Sequence, residues 1–175
     1  MNVKKKKNPN EALFLEMLEI NKAQFYRIAF SYVKDEQYAL DVIQESVYKA
    51  YTALEKMTSV KHMKTWFIRI VINQSIDQLR NNNKVIPLNQ EEEVVDIHTK
   101  NLDAYEQMEL REDMKKMLDQ LNSTERIILM LRFYESYELK EIASILDKPI
   151  STVKSTLYRS LDKLKVLMEE GIING

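Results

Sequence analysis

Along most of this chain apolar residues return every three or four positions, the spacing of a helix that buries one face. From Glu11 to about Lys34 the stripe comprises Leu13, Phe14, Met17, Leu18, Phe25, Ile28, Ala29 and Tyr32, with a break expected near Asn21. A second helix is predicted over 35–56. Its inner stripe is Ala39, Val42, Ile43, Val47, Ala50 and Leu54, and Asp41, Gln44, Glu45, Lys49 and Lys56 stay outside. A third is predicted over 63–81 on Trp66, Phe67, Ile70, Val71, Ser75, Ile76 and Leu79, with Lys64, Arg69, Asn73, Gln74 and Arg80 facing elsewhere. Trp66 falls on the apolar stripe with Phe67 and Ile70 and is expected in the core.

After three successive asparagines at 81–83 the period stops, and 84–103 holds Pro87, the acidic run Glu91, Glu92, Glu93 and scattered apolar residues, the signature of a linker. Periodicity resumes at about Ala104 and runs to Leu121, where Asn122-Ser123-Thr124-Glu125 offers a helix start with Ser123 or Thr124 as cap. The stretch 139–165, LKEIASILDKPISTVKSTLYRSLDKLK, then reads as a helix-turn-helix. Leu139, Ile142, Ala143 and Leu146 form one stripe, Pro149 interrupts, and Val153, Leu157, Leu161 and Leu164 resume it, with Ala143 small enough for a close crossing. The second of these helices is expected to start with Ser151 or Thr152 as N-cap and to present Lys154, Ser155, Tyr158 and Arg159, all donors for phosphates or base edges. The expected architecture is therefore all-α: two small helical domains at 1–83 and 105–175, joined by a flexible linker at 84–104.

Composition narrows the chemistry. With 2 Gly and 3 Pro among 175 residues and 45% hydrophobic content, few positions break helices and most of the chain is expected to fold. The absence of cysteine removes disulfides, thiolate metal sites and thiol nucleophiles. His62 and His98 lie in separate segments without metal-ligand spacing, both glycines sit at the C-terminus, and the run at 91–93 is expected to be solvated, so no metal, cofactor, small-molecule substrate or catalytic residue is assigned. No apolar run approaches the roughly 20 residues that span a bilayer, and residues 1–7 precede no signal-peptide core, which places the chain in the cytoplasm. A pI near 6.2 argues against an autonomous DNA binder that relies on counterion release. Domains of this size bury roughly 60% of their unfolded surface and are marginally stable, so docking to a partner would matter energetically.

Three segments in this order and separation, YALDVIQESVYKAY at 38–51, MKTWFIRIVINQSIDQLR at 63–80 and the helix-turn-helix, resemble bacterial RNA polymerase sigma factors of the extracytoplasmic-function (ECF) group. The resemblance covers nearly the whole chain and implies a sigma-2 helical bundle followed by a sigma-4 helix-turn-helix domain. It implies that Asp41, Gln44 and Glu45 dock on the coiled coil of the largest subunit of core RNA polymerase, with sigma-4 near the flap region. It places Lys61, His62, Lys64, Arg69, Asn73 and Arg80 against the melted minus 10 strand of promoter DNA, Asn73 at the position that contacts a flipped base. The loop 57–63 would set the preferred base. Thr152, Lys154, Ser155, Tyr158 and Arg159 match the positions that enter the minus 35 major groove. A membrane-anchored anti-sigma factor that covers the polymerase-binding surfaces is implied too, as is the absence of covalent chemistry.

The chain departs from that pattern in two places. Relatives commonly have glycine where Asp147 and Ser151 stand, the first accommodating a left-handed backbone, and arginine where Thr156 stands. Strain or a shifted turn at Asp147 and weak duplex binding by the second domain alone are expected. The other readings of the residues are a conventional helix-turn-helix repressor or activator, in which 1–83 senses a ligand or dimerises and no polymerase is needed, and a helical adaptor with no nucleic-acid role.

Overall fold

The computed structural model describes residues 9–57, 59–85 and 112–169. Among these there is no strand, and the chain divides into two compact units, Met1–Arg80 and Asn81–Gly175. The first contains α1 (Pro9–Val33), α2 (Glu36–Ala53) continued by a short 3-10 turn (Leu54–Lys56), and α3 (Met63–Val85) as far as Arg80. The expected break at Asn21 does not occur. Its side chain donates instead to the Met17 carbonyl at 2.8 Å, so a residue that would otherwise compete with the helix is satisfied within it. The helix ends where Lys34 turns left-handed and its N–H closes on the Phe30 carbonyl at 2.9 Å. Asp35 then caps α2, accepting from the Tyr38 N–H at 2.8 Å.

The core of this unit is centred on Phe67, met edge-on by Phe14 at a ring distance of 5.5 Å and by Phe25 at 4.7 Å. Around it lie Ile28, Ala29, Ala39, Val42, Ala50 and Leu54. On α3 the buried face is Phe67, Ile68, Val71, Ile72 and Ser75, which rotates the expected stripe: Ile68 and Ile72 are core, whereas Trp66, Ile70, Ile76 and Leu79 are half-buried. Periodicity alone could not choose between two adjacent faces of a helix this rich in isoleucine. Leu13 faces solvent rather than the core. Ser46 and Ser75 are buried because each hydroxyl donates to the carbonyl four residues back, Val42 at 2.6 Å and Val71 at 2.8 Å, so small polar residues sit at helix crossings without an unpaired group.

The second unit comprises α4 (Glu112–Asp119), α5 (Ser123–Leu129) running into a π turn (Met130–Tyr134), α6 (Leu139–Leu146) and α7 (Ile150–Glu169). The predicted linker 84–104, with Glu91 to Glu93 and His98, lies outside the described residues except that α3 extends through Lys84 and Val85. The helix expected from Ala104 is described only from Glu112. Asn122, not Ser123 or Thr124, caps α5. Its Oδ1 accepts the Glu125 N–H at 2.9 Å while Glu125 Oε2 accepts the Asn122 N–H at 3.0 Å, a reciprocal box that the serine or threonine one or two residues later cannot close.

The helix-turn-helix itself is α6, the turn 147–149 and α7. Asp147 takes φ 52° and ψ 48°. Its N–H reaches the Ser144 carbonyl at 3.4 Å and the Lys148 N–H reaches that of Ala143 at 3.0 Å, a Schellman closure built on aspartate in place of glycine. The turn is thus not shifted, and the left-handed conformation is adopted at Asp147. The Pro149 carbonyl accepts the Val153 N–H at 3.1 Å, so α7 opens at Ile150 and neither Ser151 nor Thr152 is its cap. Ile142, Ala143, Ile145, Val153 and Leu157 are buried together with Thr156 and Ser160, while Leu161 and Leu164 are half-buried.

Because a left-handed backbone costs a residue with a Cβ about 1–2 kcal/mol, less for aspartate, Asp147→Ala is expected to lower the stability of this unit by about 1 kcal/mol. Asp147→Gly should leave it unchanged or raise it. Thermal unfolding of the two variants beside the parent checks the order.

Candidate nucleic-acid and polymerase interface

Burial of one stripe per helix decides which side chains are left outside. On α2, Asp41, Gln44 and Glu45 are all exposed on the face opposite Ala39, Val42 and Ala50. Asp41 accepts from Gln37 Nε2 at 3.1 Å, a local contact that keeps its carboxylate at the surface. Two cross-links fix α2 within its unit: Tyr51 donates to Glu11 Oε1 on α1 at 2.6 Å, and Lys49 donates to Gln74 on α3. The Glu11 bond raises the Tyr51 phenol above its usual pKa.

The residues assigned to the minus 10 strand separate into three groups. Arg69, Asn73 and Arg80 recur at helical spacing along one side of α3, away from the buried stripe. Asn73 is exposed, and Arg80 lies 3.9 Å from Asp77. Lys64 is on the other side of that helix, in phase with Phe67, Ile68 and Val71, and is half-buried. Lys61 and His62 project from the loop before α3. Asn10 anchors the start of that loop, donating to the Met57 carbonyl at 3.3 Å; Thr58 within it lies outside the described residues.

Trp66 departs from its expected place in the core. Its ring stands edge-on to Phe14 at 6.5 Å, yet it also lines an open hollow of about 410 Å³ with Ala53, Lys56, Met57, Ser59 and His62. The hollow is therefore apolar at its base, bordered by a cation, a hydroxyl and an imidazole, and contiguous with the loop. Trp66 and Asn73, seven residues apart, fall on the same side of α3. This chemistry suits a planar ring with polar edges.

On α7, Thr152, Lys154, Ser155, Tyr158 and Arg159 are all exposed, Tyr158 at 62%. Arg159 lies back along its own helix, Nε to the Ser155 carbonyl at 3.3 Å and Nη2 to Thr156 Oγ1 at 3.5 Å. Thr156, standing where an arginine was expected, is buried and shapes the arginine that follows it. Beneath this helix is a feature the sequence reading missed. Glu125 is only 6% exposed, and its Oε1 accepts from Lys163 Nζ at 2.6 Å. Burial would push this carboxyl up, but the hydrogen bonds from Lys163 and the Asn122 N–H and the charges of Lys163 and Arg159 hold it below its usual value. The Asn122-to-Glu125 spacing was a visible signal for the cap. Nothing local pointed to a lysine 38 residues away.

The comparisons with known proteins meet this geometry segment by segment. Residues 17–85 match the family Sigma-70 region 2, and residues 111–164 match the family Sigma-70, region 4. The chain is 36% identical over 163 residues to the RNA polymerase sigma factor SigV of Bacillus subtilis, covering 93% of this chain and 95% of that one. The chain belongs to the sigma-70 family, in its ECF group. The ECF sigma factor SigW of the same organism is 24% identical to this sigma factor over 173 residues, covering 93% and 92% of the two chains. Among solved structures, the sigma factor RpoE of Bartonella quintana, in complex with the anti-sigma factor NepR, shares the fold with a TM-score of 0.68 at 19% identity, covering 89% of this sigma factor and 96% of that chain. CnrH, in complex with the cytosolic domain of CnrY, does so at 0.66 and 18%, covering 93% and 92%. Residues 17–85, most of the part that the repressor reading assigns to a ligand-sensing or dimerising domain, match Sigma-70 region 2 instead. Among the described residues, no helix is long and apolar enough to cross a membrane and no His, Asp and Glu group could hold a metal.

The Glu125 pair predicts a pH dependence. Because the folded carboxyl titrates below its usual value of 4.5, its stabilisation is complete above about that pH and is lost as pH falls through the lower folded value. Denaturant unfolding between neutral and acidic pH should show this loss in the parent and a smaller one in Glu125→Gln; identical profiles would mean the pair does not stabilise the fold.

Proposed function

We propose that this ECF sigma factor binds core RNA polymerase through the exposed α2 face carrying Asp41, Gln44 and Glu45, and directs it to promoters through two DNA-reading surfaces. The first unit, within residues 1–83, takes a melted minus 10 base at the hollow lined by Trp66 and His62. Asn73 reads it, and Lys61, Arg69 and Arg80 meet phosphates. Lys64, on the far side of α3, contributes from the start of that helix alone. The second unit, within 105–175, sets Thr152, Lys154, Ser155, Tyr158 and Arg159 in the minus 35 major groove, and 84–104 links the two. It catalyses no covalent step and acts in the cytoplasm.

The observation that carries this reading is the single chain bearing both the region 2 and region 4 matches, with the polar side chains of the reading exposed or half-buried on helices with buried faces and on the loop before α3. An exposed helix face alone is ordinary. What favours recognition is that the hollow, the Asn73 side of α3 and the loop before it adjoin one another. Control by an anti-sigma factor is supported by the two structural relatives, one bound to the anti-sigma factor NepR and the other to the cytosolic domain of CnrY, and we extend that reading to a membrane-anchored anti-sigma factor. Covering the α2 face would compete directly with polymerase.

The two surfaces separate by mutation. Asn73→Ala should impair promoter opening more than polymerase capture, since it removes a base contact on the order of 1–3 kcal/mol. Asp41→Ala with Gln44→Ala should weaken capture of core polymerase itself. Native gel competition for core polymerase, beside permanganate mapping of the open promoter, reads both; equal losses for Asn73→Ala in the two assays would refute its assignment, and undiminished capture by the α2 variant would make that face merely solvated.

A further inference from the structure

The described part of α7 carries four cations, Lys154, Arg159, Lys163 and Lys165, and their surroundings differ. Lys165 stands 3.8 Å from Glu169 with both side chains mostly exposed, a solvated pair of little consequence. Lys163 is held at 2.6 Å by a carboxylate whose side chain is 8% exposed and whose other oxygen is committed to the Asn122 N–H. That carboxylate cannot turn to water. If Lys163, itself about half exposed, left for a phosphate, the buried Glu125 would keep only the charge of Arg159 and the bond from the Asn122 N–H, so the exchange is unfavourable. Lys163 lies one turn beyond Arg159, on the stripe that begins with Thr152 and Ser155.

We propose that Glu125 is an internal counterion of the recognition helix: it withholds Lys163 from DNA phosphates and so lowers sequence-independent duplex affinity, leaving promoter choice to the five exposed residues nearer the start of α7. This rests on α7 facing the duplex. The physical argument is that only cations that neutralise phosphates release counterions, each steepening the dependence of log affinity on log salt by about 0.9. A lysine already neutralised within the protein adds nothing to that slope. Suppressed non-specific binding would keep a factor of this kind from being spread over the chromosome without polymerase.

The test uses the full-length chain and a fluorescent duplex of scrambled sequence, with anisotropy titrations across a series of KCl concentrations. Glu125→Gln keeps an acceptor for the capping box while removing the charge. It should steepen the slope by about 0.9, and the added Lys163→Gln should cancel that change. Lys163→Gln alone should leave the parent slope unchanged, and the double variant, which leaves no carboxylate without its lysine, should match the parent too where circular dichroism shows a single variant to be unfolded. A folded Glu125→Gln with the parent slope, or a Lys163→Gln whose slope falls by about 0.9, overturns the inference. Lys154→Ala with Arg159→Ala is the control for the helix. If it too leaves duplex affinity untouched, the assignment of α7 fails together with the inference, whereas a loss there beside no Glu125 effect sinks the inference alone.

Discussion

Each unit must bury its apolar surface with few helices and no covalent cross-link, and that constraint determines what is left for partners. In the first unit Phe67 between Phe14 and Phe25 fixes which side of α3 points inward. Once that rotation is set, Arg69, Asn73 and Arg80 are outside by helical geometry, and Trp66 is caught at the boundary, one edge against Phe14 and another on the hollow. A large-to-small change at Phe67 would typically cost about 3–5 kcal/mol, a large share of the stability of so small a core. Position and stability therefore depend on the same residues. The polar faces then need no special fold of their own.

The second unit solves the same problem with polar help. Its turn depends on a left-handed Asp147, and α5 and α7 are tied by a half-buried ion pair whose buried carboxylate also closes the N-terminus of α5. Buried Ser160 donates to the Thr156 carbonyl at 2.7 Å, so it too sits inside without an unpaired group. Arg159 is bonded to its own helix, at the Ser155 carbonyl and Thr156 Oγ1.

Much of this was legible in the chain. The stripes of α2 and the helix-turn-helix placed Asp41, Gln44, Glu45, Lys154, Ser155, Tyr158 and Arg159 outside from spacing alone, and the three segments together pointed to the family that the matches show. What escaped the reading has physical causes. The rotation of α3 was ambiguous because isoleucines occupy two adjacent faces, so Ile68 and Ile72 were missed and Trp66 was placed too deep. Asn21 obeys a hydrogen bond to the preceding turn that composition does not reveal. The caps fell at Asn122 and Pro149 because backbone and reciprocal carboxylate contacts outweighed the nearest hydroxyl. The Glu125–Lys163 pair is a tertiary contact, and no local pattern encodes it.

The central claim is that one chain of this kind confers promoter choice on a polymerase that otherwise has none. In vitro transcription of a pool of genomic fragments by bacterial core polymerase, with and without the protein, followed by sequencing of RNA 5′ ends, tests it directly. The account predicts new starts that depend on the protein and share two upstream elements at a fixed separation. With core polymerase verified as active on a control sigma factor, the absence of protein-dependent starts, including with polymerase purified from the protein's own host, would contradict it.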